Sequence, residues 1–313
     1  MFGRQHVVAP GTHRPSAHAA SVVPLPTGRL LASWFAGSRE GAPDAAVWSS
    51  ELGPEGWAPP RLLADSPGQP DGNSVLWLDA AGGLRLWYVT MQGSGWATCV
   101  VRERRSSDGG RTWGPDRLIQ EQWGWMVRNE PLHWQGRILM PMYDERDWSA
   151  FVLVSADGGE SWEPSEAVRA AVGVIQPALA ALDDGTVLMF LRSRGGVIYR
   201  AFSDDASGRR WTAAEPTALP NPNSAVELIR LASGALLCVF NPTTSGRSPL
   251  RVAFSEDDGE SWPAWRDLET GPGEFSYPTA VQSPDGMIHV LSTDRRRTIA
   301  HAWFDEAWVR GRD

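Results

Sequence analysis

The sequence is poor in cysteine, has no long apolar run, and carries more acidic than basic side chains. Its two cysteines, Cys99 and Cys238, are too few for a disulfide framework and lack the spacing of a zinc site. No apolar stretch approaches the roughly 18 residues of a membrane span, and the first residues lack the apolar core of a signal peptide. We therefore expect a cytoplasmic protein with no membrane partner, and its oligomeric state stays open.

Charge and motif content exclude further classes of function. Lys and Arg number 29 against 37 Asp and Glu, and this net charge of −8 argues against nucleic acid as a partner. The sequence contains no phosphate loop, no dinucleotide fingerprint and no His/Asp cluster at the spacing of metal ligands. We therefore expect neither a cofactor nor a metal ion.

Tryptophan, glycine and proline are abundant, with 17, 32 and 24 copies in 313 residues. In bulk, these residue types are typical of many short strands joined by tight turns. No long segment with the 3.6-residue period of an amphipathic helix stands out. The composition therefore predicts an all-β protein.

An eight-residue motif recurs with Ser first, Asp third, Gly fifth, Ser or Thr seventh and Trp last. Regular copies are residues 106–113, 155–162 and 255–262; a copy with one extra residue is 203–211, and a degenerate copy ends at Trp57. Their Trp residues are 56, 49, 49 and 51 positions apart. The Asp can accept hydrogen bonds from amides of its own turn, the Gly permits positive φ, and the Trp can pack beneath the hairpin. The motif therefore predicts one hairpin turn repeated at a near-constant period.

A second periodic feature agrees with the first. A glycine opens an apolar strand at six positions, with steps of 55, 53, 49, 49 and 52 residues: Gly28, Gly83, Gly136, Gly185, Gly234 and Gly286. Each unit has the pattern of four strands, so the sequence predicts a six-bladed β-propeller that forms a single domain over residues 1–313. The last unit is one strand short, and residues 5–8 are predicted to supply that strand.

The eight-residue motif described above has the pattern known as the Asp-box. These Asp-box turns, the six units and several site positions resemble the sialidase (neuraminidase) superfamily over nearly the whole chain. In a propeller, the start of each innermost strand faces the central funnel. Counting back about ten residues from each glycine finds a polar residue in every unit: His18, Asn73, Asn129 with Glu130, Gln176, Asn223 with Ser224, and Tyr277. A polar ring at matched offsets predicts a binding funnel.

The resemblance also implies roles for individual residues. Tyr277 matches the place of the sialidase nucleophile, where a neutral phenol avoids repulsion by an anionic sugar. Arg194 and Arg247 match two of the three arginines that bind the substrate carboxylate, and guanidinium groups suit this work because they bind it bidentately. Asp44, in a loop with Gly and Pro, stands at the place of the acid/base aspartate, with Glu40 as the alternative.

Two positions depart from the sialidase pattern. His18 stands where the first arginine of the triad is expected, and Arg14 is the candidate substitute. Gln176 stands where a glutamate partners the tyrosine, and an amide cannot accept a proton. The candidate replacements for that glutamate are Glu227, Glu130 and Glu274. Besides the two arginines, the expected substrate-binding residues are Gln176, Asn73, Asn129, Asn223 and Glu227.

Three functions fit these residues. The first is a sialidase-like, exo-acting glycoside hydrolase on an anionic glycan, with Tyr277 as nucleophile and Asp44 as acid/base. The second is a polysaccharide lyase that cleaves uronic-acid glycans by β-elimination, in which Arg194 and Arg247 neutralise the carboxylate while His18 and Tyr277 transfer protons. The third is a non-catalytic Asp-box propeller that binds a partner. The loop carboxylate and the matching tyrosine favour the hydrolase.

Overall fold

The computed structural model describes residues 1–79 and 81–311, and almost all regular structure in them is β-strand. The chain forms two compact units. The first comprises Met1–Val127 and Tyr277–Trp308, and the second comprises Arg128–Ser276. Each unit holds three antiparallel sheets, which we number 1 to 6 along the chain. The single domain expected over residues 1–313 stays a prediction.

Sheets 1, 2 and 6 belong to the first unit. The strands of sheet 1 are Ser16–Pro24, Leu30–Gly37, Ala46–Gly53, Gly56–Trp57 and Arg61–Ala64. The strands of sheet 2 are Asp71–Leu78, Leu84–Met91, Cys99–Ser106 and Arg117–Gln120. The strands of sheet 6 are Phe275–Gln282, Ile288–Asp294, Thr298–Phe304 and, from the N-terminus, Phe2–His6.

Sheets 3, 4 and 5 belong to the second unit. The strands of sheet 3 are Leu132–Trp134, Arg137–Asp144, Ser149–Ser155 and Glu163–Pro164. Those of sheet 4 are Val174–Ala181, Val187–Ser193, Val197–Ser203 and Glu215–Pro220, and those of sheet 5 are Glu227–Arg230, Leu236–Phe240, Leu250–Ser255 and Ala264–Glu269. The remaining elements are the strand Trp125–Val127, the 3₁₀ turn Trp96–Thr98 and the helix Glu306–Arg310. No helix among the described residues has the length and apolar character to cross a bilayer.

Six antiparallel sheets in chain order confirm the predicted fold, a six-bladed β-propeller. The strand that completes sheet 6 is also confirmed, although it is Phe2–His6 rather than residues 5–8. It pairs antiparallel with Thr298–Phe304, with Phe2 opposite Phe304.

The expectation of four strands in every unit was wrong for sheet 1. Its outer strand is divided into Gly56–Trp57 and Arg61–Ala64, and both segments pair with Ala46–Gly53. Pro59 and Pro60 lie between the two segments. Because proline has no backbone N–H to donate to a ladder, the outer strand breaks at this point.

The Asp-box turns connect the third and fourth strands of sheets 2 to 5. In the copy of sheet 2, the Asp108 carboxylate accepts hydrogen bonds from the backbone N–H groups of Arg111 at 3.0 Å and Thr112 at 2.9 Å, and from the Thr112 hydroxyl at 2.5 Å. The hydroxyl of Thr112 is the main cause that holds the pKa of Asp108 well below its usual range. The Trp113 indole N–H donates to the Gly110 carbonyl at 3.1 Å. The turn is therefore closed by its own side chains, as the motif predicts.

The Asp-box tryptophans pack against the core between neighbouring sheets of one unit. Trp113 contacts a buried cluster of sheets 1 and 2 that includes Leu31 and Leu86, and Trp262 contacts a cluster of sheets 4 and 5. Gly110 is required at its position because its φ is +82° and an added Cβ would lie 2.9 Å from Leu31. Packing at this end of each sheet anchors the strands whose opposite ends carry the candidate site.

Candidate active site

Five sheets have a residue with left-handed backbone conformation in or just before the innermost strand. These residues are Ala19 (φ 53°), Asn73 (φ 35°), Gln176 (φ 54°), Asn223 (φ 58°) and Tyr277 (φ 53°). In sheets 1, 2 and 4 the pairing register shifts at this point, which is the mark of a β-bulge. Because bulges re-aim side chains and are enriched near active sites, four of the expected funnel residues occupy backbone positions typical of function. In sheet 1 the left-handed residue follows His18 by one position.

In the first unit, Tyr277 and His18 are in direct contact. Their ring centroids are 4.2 Å apart with an interplanar angle of 51°, and the residues are only 8% and 1% exposed. His18 Nδ1 is hydrogen-bonded to the Thr293 hydroxyl at 2.8 Å, and the imidazole packs edge-on against Phe35. These contacts hold the imidazole in one orientation. The structure thus brings together two of the three residues with expected catalytic roles.

The third such residue, Asp44, lies in an exposed loop of the first unit. Its carboxylate accepts hydrogen bonds from the Ser38 hydroxyl at 2.7 Å and from the Ser38 backbone N–H at 3.0 Å. The Ser38 hydroxyl is the main cause that lowers the pKa of Asp44. In the unliganded protein Asp44 is therefore ionised at neutral pH, and only a covering ligand could favour its protonated form.

Two further loop residues of the first unit were alternatives from the sequence. Glu40 forms an ion pair with Arg296, whose backbone carbonyl accepts a hydrogen bond from Ala17 at 3.0 Å. Arg14, the candidate for the missing first arginine, lies over the ring of Trp48 at 5.0 Å from its centroid. Arg296 is therefore a cation next to the strand that carries His18, and burial lowers its pKa. Its position in the run of three arginines at residues 295–297 was the only sequence signal.

A cleft of about 640 Å³ opens in the first unit, lined by residues 39–43, 68–70 and 91–96. Trp96 stands at its edge, and its ring centroid lies 6.4 Å from that of Phe35, which in turn contacts His18. The volume falls in the range of small-molecule sites. Trp96 and Phe35 thus connect this cleft to His18, although neither His18 nor Tyr277 lines it.

Asp71 is fully buried and ties together the chain segments that line this cleft. Its carboxylate accepts hydrogen bonds from the Ser66 N–H at 2.8 Å and the Thr90 hydroxyl at 2.7 Å, and its own N–H donates to the Ala45 carbonyl at 2.8 Å. Burial raises the pKa of Asp71 to about 6. Sequence reasoning missed this residue, although a carboxylate at the start of a buried strand was visible two positions before Asn73.

In the second unit, polar residues from the starts of sheets 4 and 5 converge on Arg192. Its Nε donates to Asn223 Oδ1 at 2.7 Å, and its Nη1 donates to Gln176 Oε1 at 3.1 Å. Arg247 donates to the Asn223 backbone carbonyl at 3.0 Å and to the Glu274 carboxylate at 2.8 Å. Asn223 thus joins two guanidinium groups, one through its side chain and one through its backbone. Two cations beside neutral amides can bind an anion.

A third arginine of this unit, Arg194, is exposed and stacks on Trp148, with its Cζ 3.3 Å from the ring centroid. Glu145 lies in the same loop as Trp148. Burial raises the pKa of Glu145, and the charges of Arg192 and Arg194 partly oppose that rise. Sequence reasoning missed three of these residues. Arg192 could have been found as the one charge in the otherwise apolar strand Val187–Ser193, whereas Trp148 and Glu145 gave no signal in a loop rich in charge.

Asn129 and Glu130 are further candidates of the second unit. The Asn129 amide donates to the carbonyls of Pro177 at 2.9 Å and Val226 at 3.2 Å, so it ties strand starts together. Burial, reinforced by the negative charge of Glu227, raises the pKa of Glu130 well above its usual range. Glu274, a proposed substitute for the missing glutamate, pairs with Arg247, which is an expected site arginine. In residues 1–79 and 81–311, no three His, Cys, Asp or Glu side chains are grouped as a metal ion requires.

Comparison with known proteins identifies a family match and relatives for this chain. Residues 28–290 match the BNR repeat-like domain family. A sialidase from Micromonospora viridifaciens is 29% identical over 232 residues, which are 66% of this chain and 35% of that protein. A sialidase from Bacteroides fragilis is 26% identical over 232 residues, which are 67% of this chain and 42% of that protein. The chain therefore spans less than half the length of these curated relatives.

Solved structures show the same fold. A Hadza microbial sialidase superposes with a TM-score of 0.85 at 20% sequence identity, and the match covers 98% of this chain and 69% of that one. The likeness extends over all six sheets, and the family match covers most of the chain. The chain therefore belongs to the BNR repeat-like domain family, and its fold is a six-bladed propeller.

Proposed function

We propose that this chain is a sialidase-like glycoside hydrolase that removes a terminal anionic sugar from a glycan. The observation that carries the proposal is the arginine cluster of the second unit, where Arg192 and Arg247 share Asn223 and Arg194 is exposed. Arginine stays charged and binds a carboxylate through two parallel hydrogen bonds, so the cluster favours an anionic sugar over a neutral one. The two curated relatives, both named sialidases, support sialic acid as that sugar.

In the proposed reaction, the Tyr277 oxygen attacks the anomeric carbon while the glycosidic bond breaks, and Asp44 gives a proton to the leaving oxygen. Water then attacks the anomeric carbon, Asp44 takes a proton from it, and the bond to Tyr277 breaks. The phenol proton must leave in the first step. We assign its removal to His18, because the two rings are in contact and Thr293 orients the imidazole. When the bond to Tyr277 breaks in the second step, His18 returns this proton to the Tyr277 oxygen.

Asp44 has to change its protonation preference for this role. Its hydrogen bonds from Ser38, chiefly the one from the hydroxyl, lower the pKa of Asp44. A bound glycan that covers the loop would remove water from the carboxylate, and desolvation raises the pKa of an acid. The proposal therefore expects the proton on Asp44 to be gained together with the substrate.

The contact between Tyr277 and His18 also favours a second candidate, elimination from a uronic-acid glycan. In that reaction His18 removes the proton from C5, the C4–O bond breaks, and Tyr277 protonates the leaving oxygen. The product carries a C4–C5 double bond, and Asp44 has no role. Both reactions need a cation at the carboxylate of the substrate, so the arginine cluster does not distinguish hydrolysis from elimination.

The test is to incubate the protein with 3′-sialyllactose and, separately, with a uronic-acid oligosaccharide, and to follow mass and ultraviolet absorbance. The hydrolase is expected to release sialic acid without a new chromophore. Tyr277→Phe should lower kcat by about 10²- to 10⁴-fold, the scale for loss of a group that acts directly in catalysis, and Asp44→Asn should also lower it strongly. Asp65→Asn, which removes another exposed carboxylate of the first unit, is the control and should leave kcat unchanged.

An absorbing product formed equally well by Asp44→Asn would replace the hydrolase by the lyase. If neither substrate changes, although both bind, the chain is a binding propeller.

A further inference from the structure

A tryptophan and an arginine form a stacked pair in the second unit. Trp148 lies in the loop between the strands Arg137–Asp144 and Ser149–Ser155, and Arg194 follows the strand Val187–Ser193. The Cζ of Arg194 is 3.3 Å from the centroid of the indole. This separation is the contact distance of two flat groups, so the guanidinium plane must lie nearly parallel to the ring.

The backbone around Trp148 fixes the indole independently of Arg194. Trp148 has a φ of 54°, its N–H donates to the Asp144 carbonyl at 2.9 Å, and its carbonyl accepts from the Val174 N–H at 2.9 Å. Gly173, with φ at +78°, leaves room for the tryptophan, because an added Cβ would lie 3.1 Å from Trp148 Cβ. The Gly173 carbonyl also accepts a hydrogen bond from the Arg194 backbone N–H at 3.3 Å. These contacts fix the backbone and the Cβ of Trp148, and so the point from which the indole projects toward Arg194.

Polar groups brace the same loop from the other side. The Asp147 carboxylate accepts hydrogen bonds from the Ser149 hydroxyl at 2.6 Å and from Arg169 at 2.6 Å. Arg146 forms an ion pair with Asp144 at 2.6 Å. These contacts engage neighbouring charges of the loop. Arg192 also lies over the Trp148 ring, but its Cζ is 5.5 Å from the centroid, so the close stack is the one with Arg194.

The two expected carboxylate-binding arginines are held by different means. Arg247 donates hydrogen bonds to the Glu274 carboxylate and to the Asn223 carbonyl. The Arg194 side chain has no hydrogen bond and no ion pair within 4 Å among residues 1–79 and 81–311, and its contact is the stack on Trp148. Stacking uses the face of the guanidinium and leaves the N–H groups at its edge for a ligand.

We propose that Trp148 is a positioning residue, which holds the Arg194 guanidinium in the plane that a substrate carboxylate needs for two parallel hydrogen bonds. This inference rests on the proposed function, since it takes a carboxylate sugar as the ligand. An unsupported arginine would have to lose its rotamer freedom when the ligand binds, whereas the stacked one has already lost it. Trp148 itself touches no reacting atom.

The chain contains a matched control pair. Arg251 stacks on Trp265 with its Cζ 3.5 Å from the ring centroid, so the chemistry of the contact is the same. Arg251, however, donates to the Asp267 carboxylate at 2.7 Å, and Trp265 is 49% exposed on the outer strand of sheet 5. Trp265→Leu should therefore remove an equivalent stack without any effect on ligand binding.

The first measurement needs no ligand. Ring currents of Trp148 should displace the Nε–H resonance of Arg194, assigned by its loss in Arg194→Lys, in the ¹H–¹⁵N spectrum of the full chain. Trp148→Leu should bring this resonance to an ordinary arginine position, Trp148→Phe should keep part of the displacement, and Trp265→Leu should leave it unchanged. A resonance that is the same in wild type and Trp148→Leu overturns the stack.

The second measurement is calorimetric binding of 2-deoxy-2,3-didehydro-N-acetylneuraminic acid, of its methyl ester, and of glucuronic acid. Trp148→Leu should weaken binding of the acids by about 3- to 30-fold, the range of a cation–π contact, and should affect the ester less. Trp148→Phe should restore most of the affinity. Equal weakening of acid and ester, or an unchanged affinity for the acids, overturns the positioning role. If none of the acids binds to wild type, the proposed function fails, and so does the role of Trp148 in positioning Arg194 for a carboxylate. In that case the Arg194 resonance still decides whether the stack exists.

Discussion

Replacing Asp71 with Asn should make the stability of the protein less dependent on pH. Asp71 is 0% exposed, and burial raises its pKa from 3.8 to about 6. One unit of pKa difference between folded and unfolded states corresponds to about 1.4 kcal/mol, so a shift of roughly two units is worth about 3 kcal/mol. This energy is the cost of keeping an ionised carboxylate out of water.

The direction of the effect follows from the raised pKa. Below about pH 3 the carboxyl is protonated in both states and carries no such cost. As the pH rises from about 3 through 6, the unfolded chain ionises first, so the folded state loses about 3 kcal/mol of stability by pH 8. The D71N side chain does not ionise and should not show this loss. It keeps one oxygen acceptor and loses the other, which adds an offset of about 1–3 kcal/mol at every pH.

The assay is urea unfolding of wild type and D71N at pH 4, 5, 6, 7 and 8, followed by tryptophan fluorescence. The free energy of unfolding of wild type minus that of D71N should fall by about 2.5 kcal/mol between pH 4 and pH 8. Glu55→Gln, which neutralises an exposed carboxylate elsewhere in the first unit, should leave the pH dependence of wild-type stability unchanged. A difference between wild type and D71N that stays constant across the pH range would refute the argument that burial governs this carboxyl.

Three other predictions concern packing and charge. Trp262→Ala should lower the free energy of unfolding by about 3–5 kcal/mol, because the ring packs on the core of sheets 4 and 5. Trp265→Ala, at an exposed site, should lower it by much less. Chemical denaturation measures both changes. Ser38→Ala removes the main cause that lowers the pKa of Asp44. The part of the pH profile of kcat/KM that reports the ionisation of Asp44 should therefore move to higher pH. An unchanged profile would exclude Asp44 as the titrating acid. Burial raises the pKa of Glu145, which lies near two arginines. As the pH rises and Glu145 ionises, its negative charge should lower the wild-type affinity for a carboxylate sugar. Calorimetry at pH 5 and pH 8 should show this fall in wild type and a smaller one in Glu145→Gln.

The repeat could be deduced from sequence because its causes are local. In the copy that contains Asp108, the hydrogen bonds that close the turn join residues at most four positions apart. Such contacts depend on the order of residues alone, so the same motif forms the same turn wherever it occurs. The division of the outer strand at Pro59 and Pro60 follows equally local rules, and attention to those two prolines would have predicted it.

The expected site positions were only partly deducible. Asn73, Gln176, Asn223 and Tyr277 were found from matched spacing, and the structure gives all four a left-handed backbone. The equivalent residue of sheet 1 is Ala19, because the bulge there falls one position later than spacing alone indicates. A one-residue shift cannot be read from spacing that itself varies by several residues between units.

The contacts made by the site residues came only from the tertiary structure. His18 and Thr293 are 275 positions apart, and Arg192 and Asn223 are 31 apart, yet each pair is joined by a hydrogen bond. The pKa of Asp71 depends on how many apolar groups surround it, which no local pattern records.

By itself, the sequence determined the strand pattern, the Asp-box turns and the all-β repeat, because these depend on hydrogen bonds and side-chain packing within short segments. Only the tertiary structure decided which polar residues meet, since chain segments that are remote in sequence become neighbours when their sheets pack. The stack of Arg194 on Trp148 shows this difference. The family resemblance indicated Arg194 but gave no sign of Trp148, and the two meet because backbone hydrogen bonds at Gly173 and Val174 hold their turns together.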